Sequence, residues 1–244
     1  MILDKSFPRE TDYVKKNNVP LVIVGGTVEY HGPHCSFGCD TLVAEGLINK
    51  LKERKEIMVA PTINYSPSSY AVGGKESGTV HIPERYFEDY VYYVFKSFLY
   101  SGFRNIYVVI HHQFEQESEM PMTLCYRTAA KRATMEYLQE TLGEGWWGSE
   151  NYANYYEQLE GDNNPFNWIK VIPTMSTAVQ NATGYDHAGK YECSILMSLY
   201  PDCVDKSRIN DIKHWFTKNA VECSTEIGDE MVKLSLEYLE KTII

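Results

Sequence analysis

The order of apolar segments constrains this chain more than any other feature. Four short runs, at residues 20–24, 57–60, 106–110 and 169–172, are rich in Val and Ile and lack polar alternation. Such runs read as strands buried on both faces. Between and after them, apolar residues recur at helical spacing. The stretch 40–51 carries Leu42, Val43, Leu47, Ile48 and Leu51, with Asp40 or Thr41 as its cap, and similar spacing marks 84–101, 122–142, 191–199 and 213–243, the last interrupted at Gly228. Strands alternating with helices predict βαβ units and a mostly parallel sheet covered on both faces, an α/β fold. Residues 66–77, rich in Ser and Gly, read as a long loop. The stretch 143–165, with Trp146, Trp147, Tyr152, Tyr155 and Tyr156, breaks the alternation and reads as an aromatic-rich insertion over one edge. With no internal repeat and no linker, the reading is one domain over residues 1–244.

A chain of 244 residues can bury a sizeable core without disulfides or metal staples. Its 33 acidic residues against 23 basic ones leave a net charge of −10, with no basic block. That balance argues against nucleic acid or an anionic membrane as partner. The six cysteines form no CxxC pair, the first ten residues hold no apolar run, and no stretch approaches the ~20 apolar residues of a membrane span. The cysteines therefore read as reduced and mostly buried, in a cytoplasmic protein.

In open parallel sheets, ligands bind beyond the carboxyl ends of the strands. Five of the seven histidines follow predicted strands there, each with acidic neighbours: Glu29, His31, His34 and Asp40 after the first strand, His111, His112 and Glu115 after the third, Asp186, His187 and Glu192 after the fourth. Imidazole and carboxylate donors on separate loops suit Zn or Mn. Glu29 and His31, two apart, point the same way if the segment is extended. Singly, each has a structural explanation: His31 as a core histidine, Asp40 as a helix cap, Asp186 as a cap beside a structural histidine. Other chemistries lack their motifs, since GxSxG, GxGxxG and GxxxxGK[ST] do not occur. A nucleophilic Cys35 or Cys39 is disfavoured, because the surrounding carboxylates raise a thiol pKa.

The stretch Gly25-Gly-Thr-Val-Glu-Tyr-His-Gly-Pro-His34, followed by Gly38-Cys-Asp-Thr41, resembles the signature of the creatininase family. The later stretch Asp186-His-Ala-Gly-Lys-Tyr-Glu-Cys-Ser194 and Leu199-Tyr-Pro-Asp-Cys-Val204 resemble that family's second motif and its continuation. The resemblance implies a three-layer α/β/α sandwich, two divalent metal ions (Zn and/or Mn), and a homo-oligomer such as a hexamer. Glu29 would bind one metal, His31 the other, and Asp40 would bridge them. The loop after the third strand departs from the family: His111-His-Gln-Phe-Glu-Gln116 places Gln113 where a metal-binding His is usual and Glu115 on a metal-binding Glu. His112 and Glu115 are the expected ligands there, with Gln113 facing substrate or taking the ligand role. Lys190 stands where many members have Glu.

By this resemblance the chain is a binuclear metal-dependent hydrolase of the amidohydrolase type, using a metal-bridged hydroxide to open a small cyclic amide or related cyclic carbonyl compound. His187 is the expected general acid/base, with Asp186 orienting or charging its imidazole. Glu192 is either a carboxylate holding a ligand or a ligand itself; Tyr185, Trp146 and Trp147 are candidates for lining the pocket, and the Trp pair serves equally well as an oligomer contact. One alternative is hydrolysis of a cyclic polyol diketone in inositol breakdown, with Gln113, Gln116 and Lys190 as hydroxyl partners. Another is an inactive metabolite-binding or scaffold relative.

Overall fold

The computed structural model describes residues 1–114, 119–161 and 164–244. Four strands, β1 (Leu21–Gly25), β2 (Met58–Val59), β3 (Ile106–Ile110) and β4 (Ile169–Pro173), form an all-parallel sheet in the order β2-β1-β3-β4. β1 runs in register with β3, Leu21 opposite Ile106 and Gly25 opposite Ile110. Every residue of β1 and β3 is buried. The pleat explains why: Leu21, Ile23, Ile106, Val108 and Ile110 enter one apolar cluster, while Val22, Val24, Tyr107 and Val109 enter the other.

The helices α1 (Pro8–Lys16), α3 (Glu84–Tyr100) and α4 (Pro121–Leu142) cover the first face. The second is covered by α2 (Cys39–Lys52), α5 (Thr177–Thr183), α6 (Lys190–Leu199) and α7 (Thr225–Thr242). This is the α/β/α sandwich expected from the alternation. Among the described residues no helix is long and apolar enough to cross a membrane.

One helix goes beyond the sequence reading and two local expectations are corrected. α1 buries only Val14, so it leaves almost no apolar periodicity to read; Pro8 at its start and Glu10, which accepts the Phe7 N–H at 2.6 Å, set it instead. Residues 213–224 are not part of the last helix, which starts after the Ser224 cap and continues through Gly228. Gly228 is a packing residue there: a Cβ would lie 2.6 Å from the Ser194 carbonyl carbon in α6. Neither Asp40 nor Thr41 caps α2; Gly38 stands at the cap and both lie buried in the first turn. The insertion at 143–165 holds the short 3₁₀ turns Trp146–Gly148, Glu150–Tyr152 and Tyr155–Gln158, between α4 and the edge strand β4.

Candidate metal centre

The chain leaves β1 toward β2 on one side and later enters β3 on the other, so a crevice opens where their carboxyl ends part. The segment after β1 is tied down at once. Thr41 Oγ1 accepts the Thr27 N–H at 3.0 Å and donates to the Thr27 carbonyl at 2.9 Å. Gly26 permits this approach, since a Cβ there would meet the Thr41 methyl at 2.9 Å. The Asp-Thr pair thus has a mechanical basis: Thr41 clamps the β1 loop and delivers Asp40 beside it.

Glu29 and His31 are both buried on this loop. His31 Nδ1 donates to the Glu29 carbonyl at 3.0 Å, which fixes the tautomer and leaves Nε2 available to a cation. That Nε2 lies 3.6 Å from Asp40 Oδ2 and 3.4 Å from Glu192 Oε2. After β3, His112 Nδ1 lies 3.2 Å from Glu29 Oε2 and 3.5 Å from Asp40 Oδ2. It is His112, not Gln113, that meets the two carboxylates. Gln113 takes a left-handed conformation (φ 54°), a strained turn of the kind found at functional sites, and lines the adjoining cavity. Glu115 and Gln116 lie outside the described residues.

His111 and Glu192 complete the cluster in a way the sequence left open. His111 Nδ1 pairs with Thr174 Oγ1 at 2.7 Å, and its Nε2 faces Glu192 Oε1 at 3.6 Å. Among the described residues, four sets of donors lie close enough to hold a cation: Glu29, His31 and His187; His31, Cys39 and Glu192; Glu29, Asp40 and His112; and Asp40, His111 and Glu192. Asp40 is the residue shared by the last two sets. His31 adds its Nε2 to the last set through Asp40 and Glu192. The tandem His111-His112 after an apolar strand was the available sequence signal for His111, but only the fold shows that both rings turn inward.

The electrostatics fit cations. Burial works against charge on His31 and His112, yet the carboxylates outweigh it: Glu192, Asp40 and Glu29 push His31 up to about 10, and Asp40 and Glu29 do the same for His112. Burial would raise Asp40 and Glu192, but the facing imidazoles hold both below the usual carboxylate range. Among the described residues, His31 Nε2, Asp40 Oδ2, His111 Nε2 and His112 Nε2 are buried without a hydrogen-bond partner. Orphaned lone pairs of this kind call for a positive occupant. Cys39 also approaches His31 and Glu192, but burial drives its thiol far up, which disfavours a nucleophilic thiolate.

His187 packs tilted against His31 with ring centroids 4.2 Å apart, and its Nε2 donates to the Tyr30 carbonyl at 3.1 Å. Nδ1 is therefore the unprotonated nitrogen of its neutral ring. Asp186 does not take the orienting role expected for it. Its carboxylate accepts the backbone N–H groups of Tyr191 and Glu192, at 3.1 and 3.0 Å, and the Asn219 amide at 3.1 Å. It caps α6, because four N–H groups at a helix start need acceptors. His34 braces the same loop, donating from Nε2 to the Ala188 carbonyl at 2.9 Å, while Ala188 (φ 52°) donates its N–H to Glu192 at 2.6 Å.

A cavity of about 650 Å³ opens over these groups, with Tyr185 on its wall as expected and Trp215 and Phe216 as unexpected neighbours. These two fell in the stretch read as helix, which hid them. Trp146 and Trp147 do not line this cavity; they line a separate hollow of about 730 Å³ beside α4. Lys190 pairs with Glu222 at 3.0 Å and is not among the lining residues, so the polyol reading lacks one of its expected contacts.

Comparison with solved structures returns creatininases over the whole chain. A creatininase (creatinine amidohydrolase) crystal structure matches with TM-score 0.74 at 17% identity, covering 99% of this chain and 96% of that one. A mutant creatininase of Zn-Zn type matches with TM-score 0.72 at 18% identity, and a creatininase Mn form with 0.73 at 17%, each with the same coverage. No curated protein matches. The family model described as creatinine amidohydrolase matches residues 6–235. With that match, the parallel sandwich and the two motifs in their order, the chain belongs to the creatininase family.

Proposed function

We propose that this chain is a binuclear metal-dependent hydrolase that opens a small cyclic amide or related cyclic carbonyl compound. Family membership and the buried donor clusters support a metal-dependent amidohydrolase. The observation that carries the binuclear reading is that Asp40 joins the Glu29–His112 set to the His111–Glu192 set. Glu29, Asp40 and His112 would hold one ion; Asp40, His31 and Glu192, with His111, would hold the other. Imidazole nitrogens and carboxylate oxygens fit Zn and Mn, the metals named for the creatininase structures above.

When bound, two divalent ions supply an activated water at neutral pH and polarise the substrate carbonyl. The chain's own groups do the rest. His187 takes a proton at Nδ1 and returns it to the leaving nitrogen, because Nε2 is committed to Tyr30. Asp186 and His34 hold the 186–188 loop, so His187 stays over His31. Gln113 and Tyr185 face the substrate from the cavity wall. A homo-oligomer is part of the proposal, supported by exposed Tyr86, Tyr90, Tyr93 and Tyr100 on α3. So is the cytoplasm, supported by six free cysteines.

The test is metal content per chain by elemental analysis, on protein prepared without chelator, for wild type and Asp40→Ala. Near two ions in wild type and a large loss in the variant is the expected result. One ion would replace the binuclear reading with a mononuclear one. None, even after Zn or Mn is supplied, would leave a binding or scaffold protein.

A further inference from the structure

Beyond the donor cluster, the cavity takes its character from the segment joining α6 to α7. Trp215 and Lys218 line the cavity over the metal centre, and the same two residues line an adjoining hollow of about 290 Å³ together with Lys213 and His214. No carboxylate lines that second hollow among the described residues. Lys96, Lys190 and Lys233 each pair with glutamates. Lys213 and Lys218 are exposed and form no ion pair among the described residues. Trp215 is 81% exposed, the most exposed large apolar side chain described. Leaving an indole in water beside a cavity forgoes a large apolar burial that a cyclic ligand can supply.

The segment is anchored. His214 and Phe216 stack at 4.7 Å with planes 8° apart, and Phe216 meets His187 edge-on at 5.3 Å. The Thr217 N–H donates to the His214 carbonyl at 3.3 Å, and the Asn219 amide holds Asp186. The indole and Lys218 are therefore presented on the cavity wall, with Lys213 in the adjoining hollow, by a backbone fastened to the loop that carries His187.

We propose that residues 213–218 select an anionic cyclic substrate, with Trp215 packing on its ring and Lys213 and Lys218 receiving a carboxylate carried by that ring. The inference rests on the hydrolase reading and names its substrate class. A neutral ring would use the indole but leave both ammonium groups unanswered. A carboxylate answers them and is steered to the mouth against the chain's overall negative charge.

Two matched pairs of cyclic amides differ by one carboxylate: dihydroorotate against dihydrouracil, and 5-oxoproline against 2-pyrrolidinone. Calorimetric Kd values and hydrolysis rates are measured for each on the full chain supplied with Zn. Wild type is expected to bind at least one anion about tenfold or more tighter than its neutral partner. The ratio falls toward one in the Lys213→Gln/Lys218→Gln variant and as salt is raised, while Trp215→Ala weakens both partners alike. Unchanged metal content in each variant shows that the fold and the centre persist. A wild-type ratio near one in both pairs, a ratio that survives the double substitution, or failure of all four compounds to bind overturns the proposal. The two readings separate cleanly: neutral rings hydrolysed without anion preference keep the hydrolase and remove the anion site, whereas tight anion binding without metal uptake or turnover does the reverse.

Discussion

Gly228→Ala tests how the second helical layer sets the metal centre. By helix propensity alone the change stabilises, since Gly in a helix interior costs about 1 kcal/mol relative to Ala. The packing opposes it. A Cβ at 228 would lie 2.6 Å from the Ser194 carbonyl carbon and 2.9 Å from Ser198 Cβ, where ordinary contact begins at 3.4 Å. The Ser194 carbonyl oxygen lies closer still, and as backbone it cannot rotate away, so α6 and α7 must part by more than the 0.8 Å that the carbonyl carbon alone requires. Overpacking of this kind costs up to about 3 kcal/mol, leaving a net loss of about 2 kcal/mol. For a chain of this length that lowers Tm by about 4–8 °C. Glu192 lies two residues before Ser194 on the displaced helix, so metal binding should weaken as well. Thermal unfolding with and without Zn, and a metal titration, read both effects. A Tm at or above wild type would show that the helices yield freely and that their spacing does not place Glu192.

Three further outcomes are expected. Without metal, His31 and His112 are raised to about 10 from an ordinary value near 6.5, so both carry protons at pH 7. Their contribution to apo stability is then full below about pH 6.5 and lost as pH rises through about 10; metal uptake at pH 7 should release about two protons per chain in a weakly buffered dye titration, and no release would contradict the geometry. Thr41→Val leaves the buried Thr27 N–H unpaired and should cost about 1–3 kcal/mol in chemical denaturation, with an unchanged midpoint refuting the clamp. His187→Gln should retain the metal complement while hydrolysis of the best cyclic amide falls by about 10²–10⁴-fold, and wild-type turnover would remove His187 from proton transfer.

Much of the fold was legible because burial writes itself into local sequence. β1 and β3 are buried on both faces, so their runs are continuously apolar, and their Val and Ile content marks them as strands. The Glu29–His31 spacing and Asp40 were legible for a related reason: an extended segment and a helix start impose simple geometry on nearby residues. α1 was not legible, because a helix held by one buried residue and its terminal contacts carries no period. Nor was the break before α7, where apolar and aromatic residues 214–221 imitate a helix while packing as an irregular wall.

The sequence by itself determined the class of fold, the strand ends at which chemistry gathers, and the donor types present there. Tertiary structure decided which donors meet. His112 rather than Gln113 turns to Glu29 and Asp40, His111 joins Glu192, and Asp186 spends its oxygens on the start of α6. These choices depend on ring orientation, a left-handed turn at Gln113 and the separation of helices distant in sequence. Local spacing limits where a side chain can point, but a metal centre needs ligand atoms from four segments within a few ångströms, and only the packed sheet and its two helical layers impose that distance.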